Sequence, residues 1–384
     1  MDYKAFEKSP AGNLVPTVSG ERAFVPNKLP PKFDLGSVAL DLAMAMNAIG
    51  ELRGACWRLQ NPYILIRPLQ RLEAQTSSAM EGTHTTTDEL VLTEAGVEKN
   101  PSSDAREVAN YAQSLAWAVH SLENLPVSGR LLRGAHKRLL QGVGRERGQN
   151  KLPGEFKREQ NMIGGRRLDR ARFIPPPPAE AENSMSDLEY FLNREHKTGS
   201  APLIDMAMVH YQFETIHPFA DGNGRVGRML ISLMALSEGL LELPVLYMSP
   251  DLETRKDDYI DLLYRVSAHG EWTEWISFFL DVLANSCHRA VTTIDRIIGL
   301  QEDYQARAAN ISQSSNMIGV VNLLFESPII QPKVVVRRIG ITDAAARNLL
   351  RQLTEIGILD EVRQFYPRVW IARELVEISR PDND

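Results

Sequence analysis

A tight backbone turn that leads directly into a helix is the feature that most constrains how this chain can fold. It lies in residues 217–228, which read HPFADGNGRVGR. Gly222, Gly224 and Gly227 allow the backbone to turn sharply and to approach a ligand closely. A helix that begins near Asn223 or Gly224 would aim several N–H groups and the positive end of its dipole at one point. Such a point favours an anion, typically phosphate.

Four charged or titratable side chains accompany this turn. Arg225 and Arg228 lie three residues apart, so they share a helix face, and their forked donors suit phosphate oxygens. Asp221 is placed to hold Mg²⁺, which takes one or two protein carboxylates plus substrate phosphates. His217 titrates near neutral pH and can accept a proton from a hydroxyl. A helix-capping turn would explain a lone GxG, but the full ordered set favours a site for a nucleotide triphosphate and its metal.

The same run resembles the HxFx(D/E)GNGRxxR signature of Fic domains, and every signature position is filled. The resemblance implies transfer of AMP from ATP to a Ser, Thr or Tyr hydroxyl of a target protein. It implies that His217 deprotonates that hydroxyl and that Asp221 binds the Mg²⁺ that bridges the α- and β-phosphates. The residues that it implies around the triphosphate are Gly222, Asn223, Gly224, Arg225 and, at the γ-phosphate, Arg228.

A second motif lies far upstream, in residues 76–83, which read TSSAMEGT. It follows an amphipathic run and is predicted to end a helix, with Gly82 near the C-terminal cap. Taken alone, Glu81 is an ordinary helical glutamate. Beside the Fic run, Ser77, Glu81 and Gly82 resemble the inhibitory motif (S/T)xxxE(G/N) of the Fic class that carries it before the core. The resemblance implies that Glu81 forms an ion pair with Arg228 and competes with the γ-phosphate.

The segment 153–178 is predicted to form a β-hairpin flap. Gly164 and Gly165 separate two short extended runs, and four prolines follow Ile174. A polyproline ligand for a partner is one interpretation of those prolines. The segment more closely resembles the Fic flap, which pairs with the target in β fashion. Ile163 and Gly164 are then the expected contacts near the target and the nucleotide.

Two residues beyond the signature are candidates for an adenine pocket. Fic proteins commonly carry two adjacent tyrosines there, whereas this chain has Tyr259 followed by Ile260. Either residue could line the base pocket, and a role in the core is the alternative.

Composition limits the class of protein further. The net charge of −6 argues against a general polyanion binder. The two cysteines, Cys56 and Cys287, are too few for a disulfide framework. No apolar segment is expected to approach the roughly 18 residues of a membrane span, and the N-terminus lacks a signal pattern. These features predict a cytoplasmic protein with no membrane partner.

Helical periodicity dominates most of the chain, so the fold class is predicted as mostly α, with the flap as the main β element. The expected divisions are an N-terminal region with the inhibitory helix over 1–105, a Fic helical core over 106–300 and a small α+β domain over 311–384. The last of these resembles a winged helix whose recognition helix is residues 343–356. Arg347 and Arg351 could contact DNA phosphates there, but the tail is nearly charge-balanced, so protein contact or a homodimer is an equal alternative.

The leading functional hypothesis is a protein adenylyltransferase that is autoinhibited by Glu81. Its partners would be ATP and a target protein, with the chain itself as a possible target. Another Fic-type phosphate transfer, or removal of AMP with Glu81 orienting water, uses the same pocket. An alternative from a different class is a DNA-binding regulator that senses ATP.

Overall fold

The computed structural model is mostly helical, as the sequence predicts. It describes the chain apart from residues 59–61, 99, 145–150, 166, 196–200, 313, 364, 366–367, 379 and 381–384, and for 62–65 it describes the backbone alone. The helices of the first half are α1 (Tyr3–Phe6), α2 (Ala39–Trp57), α3 (Pro62–Ala79), α4 (Thr87–Glu94), α5 (Ser103–Ser121), α6 (Gly129–Leu139) and α7 (Pro178–Leu192). Those that follow are α8 (Pro202–Ile216), α9 (Asn223–Ser237), α10 (Ser249–Thr254), α11 (Lys256–His269), α12 (Trp272–Ala309), α13 (Ser315–Glu326), α14 (Pro332–Ile339), α15 (Asp343–Glu355) and α16 (Arg373–Ile378).

Two helices at the centre of the core carry the candidate site between them. Every residue of α8 from Leu203 onward is buried, and so is α9 from Asn223 to Ala235. Neighbours cover both helices on every side, so their polar and charged residues are buried together with their apolar ones. The long helix α12 packs against α8 and, most extensively, along α2. Trp275 of α12 is fully buried, and its indole N–H donates to the carbonyl of Ala207 in α8 at 2.9 Å.

Helix α2 corrects one expectation from the sequence. The segment Leu35–Trp57 is long and apolar enough to span a membrane by length and composition, although no such segment was expected. One face of α2 packs on α12 and buries a stripe of apolar residues, as in the core of a globular protein. The buried positions are Ala45, Ala48, Ile49, Leu52, Ala55 and Cys56.

The flap is less regular than the sequence suggests. Its pairing is a single antiparallel bridge between Ile163 and Phe173, closed by the Arg172 N–H, which donates to the Gly164 carbonyl at 2.9 Å. The flap is therefore not the main β element, and that expectation was wrong. Longer strands lie in the N-terminal segment, where β1 (Gly12–Pro16) pairs antiparallel with β2 (Arg22–Pro26). Phe24 of β2 packs on Phe173, so this hairpin supports the flap.

The C-terminal segment has the element order that the sequence predicts. Helices α13, α14 and α15 are followed by β4 (Asp360–Val362) and β5 (Val369–Ile371), and a short strand β3 (Ile329–Ile330) completes an antiparallel sheet of order β3-β5-β4. The side chain of Thr342 caps α15, and Leu350 is buried on its inner face. The sheet packs on α4 through a cluster that includes Val91. Assignment to the winged-helix class stays a prediction, as do the domain limits, of which residue 105 falls inside α5.

Candidate active site

Two left-handed residues define the loop between α8 and α9. His217 ends α8 at φ 50° and ψ 58°, and its N–H donates to the Phe213 carbonyl at 3.0 Å. Gly222 begins α9 at φ 76°, where glycine carries no steric penalty. Between them, Phe219 is fully buried and stacks on the ring of His136 with centroids 3.9 Å apart. The loop is thus anchored at its middle and bent at both ends.

Asn223, the first residue of α9, forms two hydrogen bonds back to the loop. The Asn223 side chain accepts a hydrogen bond from the Phe219 N–H at 2.7 Å and donates one to the Phe219 carbonyl at 2.8 Å. Its backbone is therefore fixed at the helix N-terminus, which is where an anion hole is predicted. A side chain at Gly224 would clash with a carboxylate oxygen of Glu81, so the backbone there must be bare.

Arg228 joins the loop to the upstream motif, as the resemblance implies. Its Nη2 donates to Glu81 Oε1 at 2.9 Å and to the Ser77 carbonyl at 2.8 Å, and its Nε donates to Ser77 Oγ at 2.8 Å. Burial acts to raise the pKa of Glu81, but the Arg228 guanidinium outweighs it, and the pKa lies below its usual value. Glu81 is therefore ionised at neutral pH. Gly82 lies just past the end of α3 at φ 78°, so the chain turns away directly after the carboxylate.

Arg225 is enclosed between α9 and α5. Its side chain is fully buried and pairs with Glu107 of α5, which is also fully buried, while Asp221 Oδ1 lies 3.7 Å from its Nη2. A guanidinium with no exposed surface cannot contact a phosphate in this conformation. In this conformation Arg225 holds the start of α9 against α5, and its role in supporting the phosphates stays a prediction. Its shared helix face with Arg228 could not reveal this, because the partner lies 118 residues away.

One cavity joins most of the remaining candidates. The flap, the loop and α11 enclose it, and Met80 and Lys256 lie at its edge, where the lysine Nζ donates to the Met80 carbonyl at 2.6 Å. The predicted residues that line the cavity are Glu81, Ile163, His217, Gly224, Arg228, Tyr259 and Ile260. The adenine pocket at Tyr259 and Ile260 stays a prediction. So does the target contact at Gly164, which is at φ 67° in the turn of the flap.

The hydroxyl end of the Tyr259 side chain lies in the core. Its hydroxyl lies 2.9 Å from Nε2 of His210, which is fully enclosed. Burial lowers the pKa of His210 to about 3, so this imidazole stays neutral. The tyrosine ring is therefore held at a fixed orientation against the cavity.

His217 has the protonation state that a general base needs. Its Nδ1 lies 3.2 Å from the Glu214 carbonyl, so Nδ1 carries the proton and Nε2 has the free lone pair. Burial lowers its pKa to about 4, and the Lys157 ammonium adds to this effect. The imidazole is thus neutral at pH 7 and able to accept a proton.

Several residues that shape the site carried no local signal in the sequence. His136 of α6 accepts from the Gly154 N–H at 3.0 Å through Nδ1, so its Nε2 is protonated and donates to the Asp221 carbonyl at 3.0 Å. Glu73 of α3 accepts from the Tyr111 hydroxyl at 2.7 Å and from Ser249 Oγ at 2.6 Å. Burial raises the pKa of Glu73, which these hydrogen bonds oppose.

The helical fold thus brings a glycine loop, a neutral histidine and a buried arginine to one cavity, and comparison with known proteins identifies the domains that carry them. Residues 40–120 match the Fic/DOC family N-terminal region, and residues 126–235 match the Fic/DOC family itself. The chain therefore contains a Fic/DOC family N-terminal region and a Fic domain.

Similar proteins agree with this assignment. The protein adenylyltransferase Fic of Culex quinquefasciatus is 34% identical over 128 residues, which is 33% of this chain and 23% of that protein. That of Drosophila melanogaster is 38% identical over 86 residues, 22% of this chain and 16% of that protein. The matches thus span less than a quarter of the length of these relatives.

Solved structures support the fold over a larger part of the chain. A Fic family protein from Desulfovibrio desulfuricans G20 superposes with a TM-score of 0.57 and 21% identity, covering 90% of this chain and 98% of that one. Residues 134–508 of Fic-1 from C. elegans give a TM-score of 0.52 and 20% identity over 67% of this chain and 73% of that one. At these identities the likeness concerns the fold alone.

Proposed function

We propose that this chain is a protein adenylyltransferase, which transfers AMP from ATP to a hydroxyl of a target protein and is restrained by Glu81. The observation that carries the proposal is that neutral His217 and buried Arg228 line one cavity and are joined by the glycine loop. The similar proteins named protein adenylyltransferase support it. The target is a protein hydroxyl, and the chain itself is the first candidate.

In the proposed reaction, Nε2 of His217 takes the proton of the target hydroxyl. The hydroxyl oxygen forms a bond to the α-phosphorus, the bond between that phosphorus and the bridging oxygen breaks, and pyrophosphate leaves. The N–H groups at the start of α9 stabilise the charge that develops on the phosphate, because they are fixed in place beforehand. Arg228 would hold the γ-phosphate once it is free of Glu81.

Asp221 is the residue that would hold Mg²⁺. Its side chain is about one third exposed, unlike the buried side chains around it. Its Oδ1 accepts from the Gly222 N–H at 2.6 Å, which orients the carboxylate at the helix N-terminus. One carboxylate with phosphate oxygens is a normal Mg²⁺ site, so the residues fit the ion. When bound, Mg²⁺ neutralises charge on the triphosphate.

The proposed restraint follows from the contact between Glu81 and Arg228. A carboxylate on Arg228 neutralises the group meant for the γ-phosphate, and it lies against Gly224, where phosphate would approach. ATP could then bind only with its phosphates displaced. A displaced α-phosphate can lose on the order of a hundredfold in rate.

The test is intact-mass analysis of the Glu81→Gly variant after incubation with Mg²⁺ and ATP. We expect the mass of an adenylyl group on the protein, and no addition when His217→Ala is combined with Glu81→Gly. Other masses, such as phosphate or phosphocholine, would assign another Fic-type transfer. Release of free AMP from a modified protein, dependent on Glu81, would assign hydrolytic removal of AMP.

DNA binding is less well supported than protein contact. On α15, Arg347 pairs with Asp343 at 2.6 Å and Arg351 with Glu355 at 2.7 Å. A helix whose arginines already have carboxylate partners offers a weak electrostatic surface to phosphates. Retention of the full chain on duplex DNA at about physiological salt would favour the regulator instead. A cytoplasmic location and a homodimer remain expectations from the sequence.

A further inference from the structure

Residues at the base of the flap donate hydrogen bonds to the carbonyl groups of the loop between α8 and α9, here called the catalytic loop. The Lys157 N–H donates to the Pro218 carbonyl at 2.8 Å, and its Nζ lies 3.3 Å from the Ile216 carbonyl. Asn161 Nδ2 donates to the carbonyls of His217 and Phe219, each at 3.0 Å. Four successive carbonyls, from residue 216 to residue 219, thus have a donor from the short segment 157–161.

The two side chains of this segment also hold each other. Lys157 Nζ donates to Asn161 Oδ1 at 2.7 Å, which fixes the amide so that its NH₂ group points at the loop. Lys157 is 4% exposed, although lysine seldom lies so deep without a carboxylate partner. Burial lowers the pKa of its ammonium to about 7. A buried ammonium that donates to a carbonyl and an amide instead of a carboxylate needs a reason beyond stability.

We propose that Lys157 and Asn161 are positioning residues that hold His217 in its left-handed conformation and couple the flap to the catalytic loop. The proposal rests on the adenylyltransferase function proposed above. His217 is a non-glycine residue at positive φ, a conformation that persists where the surrounding contacts over-determine it. The Asn161 bond to its carbonyl is one such contact, and the Nδ1 bond to the Glu214 carbonyl is another.

Lys157 and Asn161, here called the clamp, also lie next to the flap in the chain. Asn161 lies two residues before Ile163, which forms the bridge of the flap. A target strand that binds the flap would therefore act on the same short segment that orients the imidazole. Lys157 also faces His217 with its charge, whereas Glu81 faces the imidazole from the turn after α3 with the opposite charge. The clamp thus sets both the direction of the base and the proton affinity of the base.

The first experiment separates positioning from nucleotide binding. In the Glu81→Gly background, Asn161→Asp keeps the size of the side chain but replaces the donor with an acceptor that repels the two carbonyls. We expect kcat for AMP transfer to fall about 10- to 100-fold, with KM for ATP changed less than about threefold, because misorientation of the base affects the reacting state alone. An unchanged kcat in a variant with a normal thermal melting curve would overturn the proposal.

The second experiment needs no activity, so it also decides the matter if the adenylyltransferase proposal fails. The His217 imidazole is followed by NMR from pH 8 down to pH 4 in the full chain, with His217→Ala to assign its signal among the eight histidines. Lys157→Met removes a positive charge that opposes protonation, so the imidazole should begin to protonate about one pH unit higher. Lys157→Arg should restore the original curve.

Arg158→Met is the matched control for the charge. Arg158 is the next residue, but its side chain is mostly exposed and pairs with Glu155, so its removal should leave the His217 titration unchanged. Equal titration curves for the wild type and Lys157→Met would overturn the coupling between Lys157 and the base. A shift of the same size in Arg158→Met would also overturn it, because the effect would then be one of net charge.

Discussion

Arg225 at the start of α9 and Arg351 on α15 each form an ion pair with a glutamate, but the first pair is buried and the second is exposed. Arg225 pairs with Glu107 where neither side chain has any exposed surface. Arg351 pairs with Glu355 one helical turn away, and both side chains are more than half exposed. The first pair joins α9 to α5, whereas the second pair lies within one helix.

The two pairs differ in how strongly each one specifies the fold. A buried pair loses the hydration of two charges, so it adds little net stability but is costly to break, because one charge is then left without a partner. An exposed pair within a helix gains a few tenths of a kcal/mol and is screened by salt. The buried pair therefore specifies where the start of α9 lies, and the exposed pair specifies almost nothing about the fold.

The largest effect is expected from neutralising the buried carboxylate. Glu107→Gln removes the buried carboxylate that pairs with Arg225 and leaves only the more distant Asp221, so the free energy of unfolding should fall by about 3–5 kcal/mol. Urea denaturation followed by circular dichroism measures this. Glu355→Gln is the matched control on α15 and should change the free energy of unfolding by less than about 0.5 kcal/mol. Equal losses in the two variants would remove the distinction between the two regions.

The next largest effect is expected on the rate of AMP transfer. Glu81→Gly frees Arg228, so AMP transfer should rise on the order of a hundredfold, which corresponds to about 2.7 kcal/mol. Initial rates with radiolabelled ATP measure the change. The Glu81 carboxylate is partly exposed, so its loss should cost less stability than Glu107→Gln does. A rate equal to that of the wild type would contradict the proposed restraint.

A further effect is expected from pH. Burial raises the pKa of Glu214 to about 8, an effect that Arg228 partly offsets. The folded state then keeps a proton that the unfolded state loses near pH 4.5. Stability should therefore fall as pH rises from about 4.5 to about 8 and then level off. Urea midpoints across this range should show a flatter dependence in Glu214→Gln; an equal slope in both proteins would refute the assignment.

The smallest effect is expected on α15 under salt. Arg351→Gln removes an exposed pair within one helix, so the melting temperature should change by no more than about 2 °C. The difference between this variant and the wild type should shrink further at about 1 M salt, where the Debye length is about 3 Å. A larger change would mean that this arginine contacts more than its own helix.

The sequence predicted the parts of the site that lie within a few residues of each other. The glycines, His217 and the start of α9 follow from one run, because turn and helix signals are local. The contact between Glu81 and Arg228 spans 147 residues and was reached through resemblance alone. The pairing of Arg225 with Glu107 was not predicted, since spacing on a helix shows which residues share a face but not what that face meets.

Other parts of the site could not be predicted, for related reasons. Lys157 and Asn161 belong to a segment expected to form a flap, and their bonds to the loop cross more than 55 residues. His136 is one of several basic residues at the end of α6, so its place in the sequence did not distinguish it from its neighbours. The hairpin of β1 and β2 was not predicted, because prolines and glycines in this segment obscure the alternation that pairing with a neighbouring strand makes clear.

The bare backbone at Gly224 lets the segment after α3 come close to the start of α9. A Cβ at this position would overlap Glu81 Oε1 and lie 2.9 Å from Arg228 Nη1, so the ends of both side chains would have to move. Gly224→Ala should therefore disturb the contact between two segments that lie 147 residues apart in the sequence, without removing either charged group.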